Sequence, residues 1–195
     1  MSYIAYLVEG ERVALRPLRP ADGPEFTARV RESRELHRPW LSPPATLEEY
    51  GTHAARFAGS PGDEGPARAG FLVCERGAGG AIAGFVNVNN IVRGAFRCGA
   101  LGYGAFAHAV GKGLMREALG LVIGHAFAGD GLGLHRLEAN VQPGNAASIA
   151  LVRGLGFRME GLSPDFLHVD GAWRDHERWA ITAEMPRPGA RHRPG

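Results

Sequence analysis

Between Leu114 and Phe127 the residues Met115, Ala118, Leu119, Val122 and Ala126 recur at helical spacing. That pattern makes an amphipathic helix whose apolar stripe has to be buried against another layer. Strand-like segments lie on both sides of it. Gly70–Glu75 and Ala81–Ile91, joined by the turn-forming GAGG, and then Phe96–Tyr103 precede the helix, and Leu134–Val141 follows it. Earlier, Val13–Leu18 reads as a strand, and Asp22 is placed to cap a helix carrying Pro24 in its first turn. Thr46–Phe57 reads as a helix with Thr46 and Glu49 at capping-box spacing. Ala146–Leu155 is a short helix ended by Gly156. The segments FRMEGLSPDFLHV and WRDHERWAI form a hairpin turned at Asp170-Gly171. Strands outnumber helices in a mixed order, so the expected fold is α+β around one sheet.

At 195 residues the chain fits one domain. Residues 1–185 are assigned to it, with GSPGDEGPARA (Gly59–Ala69) a loop and 186–195 a disordered tail. Hydrophobic residues make up 45%, which is globular composition. No run approaches the roughly 18 apolar residues that cross a bilayer, and MSYIAYLVEGERV lacks the pattern of a signal peptide. Cys74 and Cys98 sit in apolar segments without metal-ligand spacing, which suits buried thiols in a reduced cytoplasm. The net charge is +2, so nothing calls for nucleic acid. His135, His168 and His176 do not form metal-ligand spacing either, and no metal is expected.

Among 22 Lys+Arg residues there is a single lysine, Lys112, between Gly111 and Gly113. A glycine-rich turn feeding a helix leaves unpaired N–H groups at the positive end of the helix dipole, a ready anion site. An ordinary turn with an exposed lysine explains the same residues. A Walker loop does not, because Gly113 stands where Ser or Thr must hold magnesium. Further on, NAASIALVRGLGF (Asn145–Phe157) begins a helix at Asn145, a good N-cap for the Ser148 N–H. Ser148 is a hydroxyl one turn in, either functional or merely solvated.

Taken together, H-x-x-G-K-G before a long helix and then LHRLEANVQPGNAASIALVRGLGF closely resemble the GNAT acetyltransferases. Within them the chain resembles the RimJ/RimL branch, the N-terminal acetyltransferases of ribosomal proteins. RPWL (Arg38–Leu41), the Leu101-Gly102-Tyr103 strand end and GAWRDHERWAI match that branch as well. The resemblance implies a single GNAT-like domain, with a mixed, mostly antiparallel sheet of about seven strands and about four helices. Two splayed strands, ending near Tyr103 and Val141, would hold acetyl-CoA. It further implies coenzyme contacts from Leu101, Gly102, Tyr103 and Asn140. The turn His108–Leu114, including Val110, Gly111, Lys112 and Gly113, would take the diphosphate, with His108 where the family more usually has Gln or Arg. Asn145 would position the pantetheine amide.

For the chemistry, the resemblance implies that a backbone N–H near Gly102 or Tyr103, where the strand bulges in the family, polarises the carbonyl. Ser148 matches the hydroxyl that serves the departing sulfur. The glutamate that many members carry before the phosphate turn is absent, since the chain reads FRCGALGYGAF there. Glu138 is a substitute base, or else a strand carboxylate paired with Arg136. Glu160 and Asp175 are further substitutes for that base on the acceptor side, and Asp175 with His176 can instead orient the substrate. Trp40 is either an acceptor-site wall or a core residue. The implied activity is direct acetyl transfer in a ternary complex to the α-amine of a protein such as a ribosomal protein. Alternatives are a small-molecule amine as acceptor, or a catalytically idle acyl-CoA-binding module. Membrane or nucleic-acid partners are not expected, and both monomer and homodimer fit.

Overall fold

The computed structural model describes residues 5–58 and 65–186. In chain order the strands are β1 (Val8–Glu9), β2 (Val13–Arg16), β3 (Ala69–Glu75), β4 (Ala81–Val92), β5 (Cys98–Ala105), β6 (Arg136–Val141), β7 (Arg158–Val169) and β8 (Ala172–Thr182). The helices are α1 (Gly23–Glu32), α2 (Arg34–His37), α3 (Leu47–Ala55), α4 (Leu114–Phe127) and α5 (Ala146–Gly154). All eight strands join one sheet in the order β1-β2-β3-β4-β5-β6-β8-β7. Every neighbouring pair is antiparallel except β5 and β6. These two are parallel because α4 carries the chain back to the start of the next strand, as a crossover helix must.

Alternation along the strands sets the two layers. Val13, Leu15, Val73, Val86, Leu137 and Ile181 cluster with the buried stripe of α4, including Leu119, Val122 and Ile123. Leu72, Cys74, Ile82 and Phe85 point the other way and cluster with Phe26, Val30 and Tyr50 of α1 and α3. Burying one such leucine or phenylalanine contributes about 1.5–3 kcal/mol, so the sheet's two faces supply most of the fold's stability. Among the described residues no helix is long and apolar enough to cross a membrane. Cys74 and Cys98 are free, buried thiols.

The helix Leu114–Phe127 spans the residues its periodicity predicted. The Thr46–Glu49 capping box also forms: the Glu49 N–H donates to Thr46 Oγ1 at 3.2 Å and the Thr46 N–H to Glu49 Oε2 at 3.1 Å. Other expectations shift. Among the described residues there are eight strands, against about seven expected, and five α-helices, against about four. The additions include β1, of two residues, and α2, of four, both too short for any periodic pattern to register. The first long-range strand stops at Arg16 rather than Leu18, because Pro17 has no N–H for the ladder. Asp22 does not cap α1 with its side chain. Its carboxylate, 5% exposed, accepts from the Arg16 guanidinium at 2.6 and 2.9 Å, from Arg19 Nη2 at 3.0 Å and from the Arg19 backbone N–H at 2.8 Å, which uses up its lone pairs. Of the expected tail only Pro186 is described, and the loop at 59–69 is described from Gly65 onward; the rest of both lies outside the described residues.

Candidate active site

The site begins where two parallel strands stop pairing. β5 and β6 are in register from Cys98↔Arg136 to Leu101↔Ala139, and no pair follows, although β5 continues to Ala105 and β6 to Val141. Peptide groups on the facing edges beyond Leu101 and Ala139 are thereby released from the ladder and need other partners. Gly102 and Tyr103 are the first residues past that point. Their release comes from the splay and not from a bulge: against β4 they keep regular register, and the irregularity lies between Asn89 and Val92. The expectation of a bulge at Gly102 is corrected accordingly.

Two hollows open around the splay. The smaller, about 130 Å³, lies between the strand ends and is lined by Leu101, Gly102, Tyr103, Ala139, Asn140, Val141, Gln142 and His176, among others. The larger, about 330 Å³, runs over Val110, Gly111, Gly113, Leu114 and Arg116. Trp40, Leu41, Tyr103, Asn145 and Ser148 line both. At that junction the Tyr103 hydroxyl and Ser148 Oγ are hydrogen-bonded at 2.5 Å. Burial raises the Tyr103 pKa more than the Ser148 bond lowers it, so the phenol remains a proton donor at neutral pH. Ser148 is held in place by its helix: Asn145 caps α5, its Oδ1 accepting the Ser148 N–H at 3.1 Å.

The glycine turn is shaped by backbone conformation. Gly111 and Gly113 have φ of 76° and 74°, where a side chain is strained, and nothing lies within 4 Å of where a Gly111 Cβ would be. Gly113 is the N-cap residue of α4. The first turn of that helix therefore presents unpaired N–H groups at an open cradle suited to an anion. Trp40 stands at the junction of the hollows rather than in the core.

Other expected residues are placed elsewhere. Lys112 is half exposed, with Nζ 3.9 Å from Glu75 Oε1, over a separate depression with Glu11, Arg12, Gly77 and Leu114. The cation lining the larger hollow is Arg116, three residues past Gly113, which the sequence reading did not single out. His108 lies in a 3-10 turn with both ring nitrogens buried and unpartnered, and it lines neither hollow. Burial, reinforced by Arg29 and Lys112, lowers its pKa, so it offers no charge to a phosphate.

Glu138 is also not brought to the splay. Its carboxylate accepts from Arg136 Nε at 3.0 Å and Arg178 Nη2 at 2.9 Å, so the strand-pairing alternative describes it and the substitute-base expectation does not. Glu160 joins the same ladder through Arg136 and Arg158, whose hydrogen bonds hold its carboxyl at about 2. Asp175 accepts the Asp165 N–H at 2.9 Å within the hairpin. None of these three carboxylates lines either hollow. His37 and Gln142 line the hollows and were missed. His37 could not have been found from spacing, because only the tertiary fold brings α2 against Ala105, whose carbonyl accepts from His37 Nε2 at 2.8 Å. Among the described residues no group of three or more His, Cys, Asp or Glu side chains could hold a metal.

Comparison with known proteins gives this geometry a context. The family model described as "Acetyltransferase (GNAT) domain" matches residues 12–158. The [ribosomal protein uS5]-alanine N-acetyltransferase of Escherichia coli strain K12 is 42% identical over 108 residues, 55% of each chain. The chain thus spans about half the length of the curated relatives it matches. Among solved structures, RimJ of Mycobacterium smegmatis in complex with CoA-disulfide superposes with a TM-score of 0.78 at 30% identity, covering 88% of this chain and 82% of the other. The ribosomal-protein-S5-alanine acetyltransferase from Vibrio fischeri gives a TM-score of 0.79 at 26% identity, covering 91% and 96%. The model match runs from β2 through the splayed strands, the glycine turn and α5, and by it the chain belongs to the GNAT acetyltransferase family.

Proposed function

We infer that this protein is an acetyl-CoA-dependent N-acetyltransferase, acting on the α-amine of a protein N-terminus by direct transfer in a ternary complex. The observation that carries the reading is the Tyr103–Ser148 hydroxyl pair, 2.5 Å apart where the two hollows meet beside the parted strands. The similarity to acetyltransferases of ribosomal protein S5 supports a protein acceptor, a ribosomal protein being the leading candidate, and a cytoplasmic place of work.

The residues present fit the coenzyme. The open Gly111 cradle and the N–H groups opening α4 suit a diphosphate, with Arg116 as the nearby cation and Lys112 adding charge from the outer side. Asn140 and Asn145 are available to the amides of a pantetheine arm, and Leu101 and Val141 line its apolar wall. Acetyl-CoA supplies the activated thioester. The chain supplies orientation and charge. N–H groups alternate between the two edges of a strand. With the Phe106 N–H on the Ala83 carbonyl of β4, it is the Tyr103 N–H that falls on the released edge of β5 and is free to polarise a carbonyl. Either oxygen of the Tyr103–Ser148 bond can donate; with Tyr103 donating to Ser148 Oγ, Ser148 is free to donate a proton toward sulfur, and the pair acts as one relay. Trp40 lines both hollows at their junction and is placed to form a wall of the acceptor site.

The test is turnover. Thiol release from acetyl-CoA is followed with a panel of peptides and small amines. Release that depends on a peptide with a free N-terminus supports the reading. Binding of acetyl-CoA without release for any amine returns the protein to an idle acyl-CoA-binding module.

A further inference from the structure

An amine acceptor arrives mostly protonated and must lose that proton before it can attack. No carboxylate lines either hollow, and Glu138 and Glu160 are occupied by arginines. Two imidazoles remain. His37 cannot serve: Nε2 is committed to the Ala105 carbonyl, and Nδ1 is sealed from the cleft without a partner.

His176 differs. It sits on β8, is 3% exposed, and lines the smaller hollow between the splayed strands with Tyr103 and Ser148. Its Nδ1 is 2.8 Å from the Arg174 carbonyl oxygen, which can only accept, so Nδ1 carries the hydrogen. The lone pair of the neutral ring is therefore on Nε2, which has no partner among the described residues. The ring is held by an edge-on contact with Phe166 at 6.1 Å between centroids. A base with a fixed tautomer and a fixed ring plane is a prepared proton acceptor.

We propose that His176 Nε2 is the general base that deprotonates the acceptor amine. The proposal rests on the acetyl-transfer reading of the cleft. Nε2 takes one proton from the ammonium and releases it to solvent. The freed electron pair forms the C–N bond, and the C–S pair departs on sulfur. The sulfur takes its proton from the Ser148–Tyr103 relay, which the second N–H proton, lost as the amide forms, restores. The titratable and charged groups nearest the imidazole are Tyr103 across the hollow on β5 and, two residues to either side on the same face of β8, Arg174 and Arg178. The Arg178 guanidinium lies 4.4 Å over the same Phe166 ring from β7 and is paired with Glu138 of β6.

Two variants test this without depending on one fold outcome. His176→Asn keeps a donor for the Arg174 carbonyl and deletes the Nε2 position, and His176→Gln puts a non-basic amide there. Wild type and both variants are compared for acetyl-CoA dissociation constant by calorimetry, and for kcat against pH with a saturating peptide. Expected are dissociation constants within twofold of wild type and kcat at neutral pH at least about a hundredfold lower. The acid-side fall of wild-type kcat should move in both variants to the acceptor amine's own ionisation. Either variant keeping wild-type kcat and its acid limb overturns the proposal while leaving acetyl transfer standing. A wild type that binds acetyl-CoA yet acetylates no amine overturns the transfer reading, and this proposal with it.

Discussion

Arg12 and Glu117, 105 residues apart in sequence, clamp the glycine turn from its outer side. Glu117 Oε1 accepts the N–H groups of Arg12 and Val13 at 2.8 and 3.2 Å, and Oε2 accepts Arg12 Nε at 3.0 Å. Burial alone would raise the Glu117 pKa, but these donors hold it below the usual carboxylate range. The Arg12 guanidinium then donates to the carbonyls of Lys112 and Gly113 at 2.8 and 3.4 Å. In a trans peptide the C=O and the next N–H point in opposite directions. The N–H groups of Gly113 and Leu114 are thus turned away from Arg12, toward the hollow those residues line.

Arg12→Met should therefore loosen the turn and weaken coenzyme binding while leaving the chemical step intact. Contacts shared by ground and transition states appear in KM and not in kcat. The Arg12 side chain is half exposed, so a loss of about 1 kcal/mol, roughly fivefold in acetyl-CoA KM, is expected. Steady-state kinetics with acetyl-CoA varied decides it; an unchanged KM would mean the turn keeps its shape without the clamp.

The position of the cations makes a second comparison. Arg116→Ala should raise acetyl-CoA KM more than Lys112→Ala, because Arg116 lines the hollow and Lys112 reaches Glu75 instead. A charge-assisted contact sets the upper range at about 1.5–3 kcal/mol for Arg116. Should Lys112→Ala prove the more damaging, its side chain swings to the diphosphate on binding, and the placement seen here describes only the free protein.

Ser148→Ala should lower kcat by about 10²–10⁴-fold with coenzyme affinity near wild type. Tyr103→Phe should lower kcat too, and the double variant should be no worse than Ser148→Ala, since two groups in one relay are not additive. A kcat within twofold of wild type for Ser148→Ala would reduce that residue to a turn of helix.

Legibility followed the physics of each signal. The α4 stripe, the Thr46 capping box and the Asp170-Gly171 turn depend on neighbours within a few residues, and all three formed as read. Asn145 as a helix cap is equally local. What failed to show was tertiary. Asp22 has the spacing of a cap, yet Arg16 lies beside it on β2 and takes the carboxylate into a buried pair. The pairing of Glu138 with Arg136 is one of the two readings its strand spacing allows, but its second partner, Arg178, arrives only when β8 pairs with β6. Arg116 and His37 became visible only when the strands parted and α2 folded against Ala105.

The charge ladder on β6, β7 and β8 gives a pH prediction. The carboxyl of Glu160 is held at about 2 by hydrogen bonds from Arg136 and then Arg158, well below its value in an unfolded chain. A group with a depressed folded pKa contributes stability above its unfolded pKa, and that contribution fades as pH falls toward the folded value. Arg158 is mostly exposed, so the effect is about 1 kcal/mol. Urea unfolding of wild type and Glu160→Gln should differ by that much at pH 6 and converge near pH 2. A constant gap across the range would remove the ladder from the account.

The central claim is transfer to an α-amine, and two peptides test it most directly. One has a free N-terminus and blocked lysines; the other has a blocked N-terminus and free lysines. An α-amine with a pKa of about 7.7–8.0 needs roughly 3–4 kcal/mol less deprotonation at neutral pH than a lysine amine at about 10.4. A cleft lined by no carboxylate favours the first. Mass spectrometry after incubation with acetyl-CoA should find the first peptide acetylated at its N-terminus and the second nearly unmodified. Faster acetylation of the second peptide, or none of either alongside turnover of a small amine, would contradict the account.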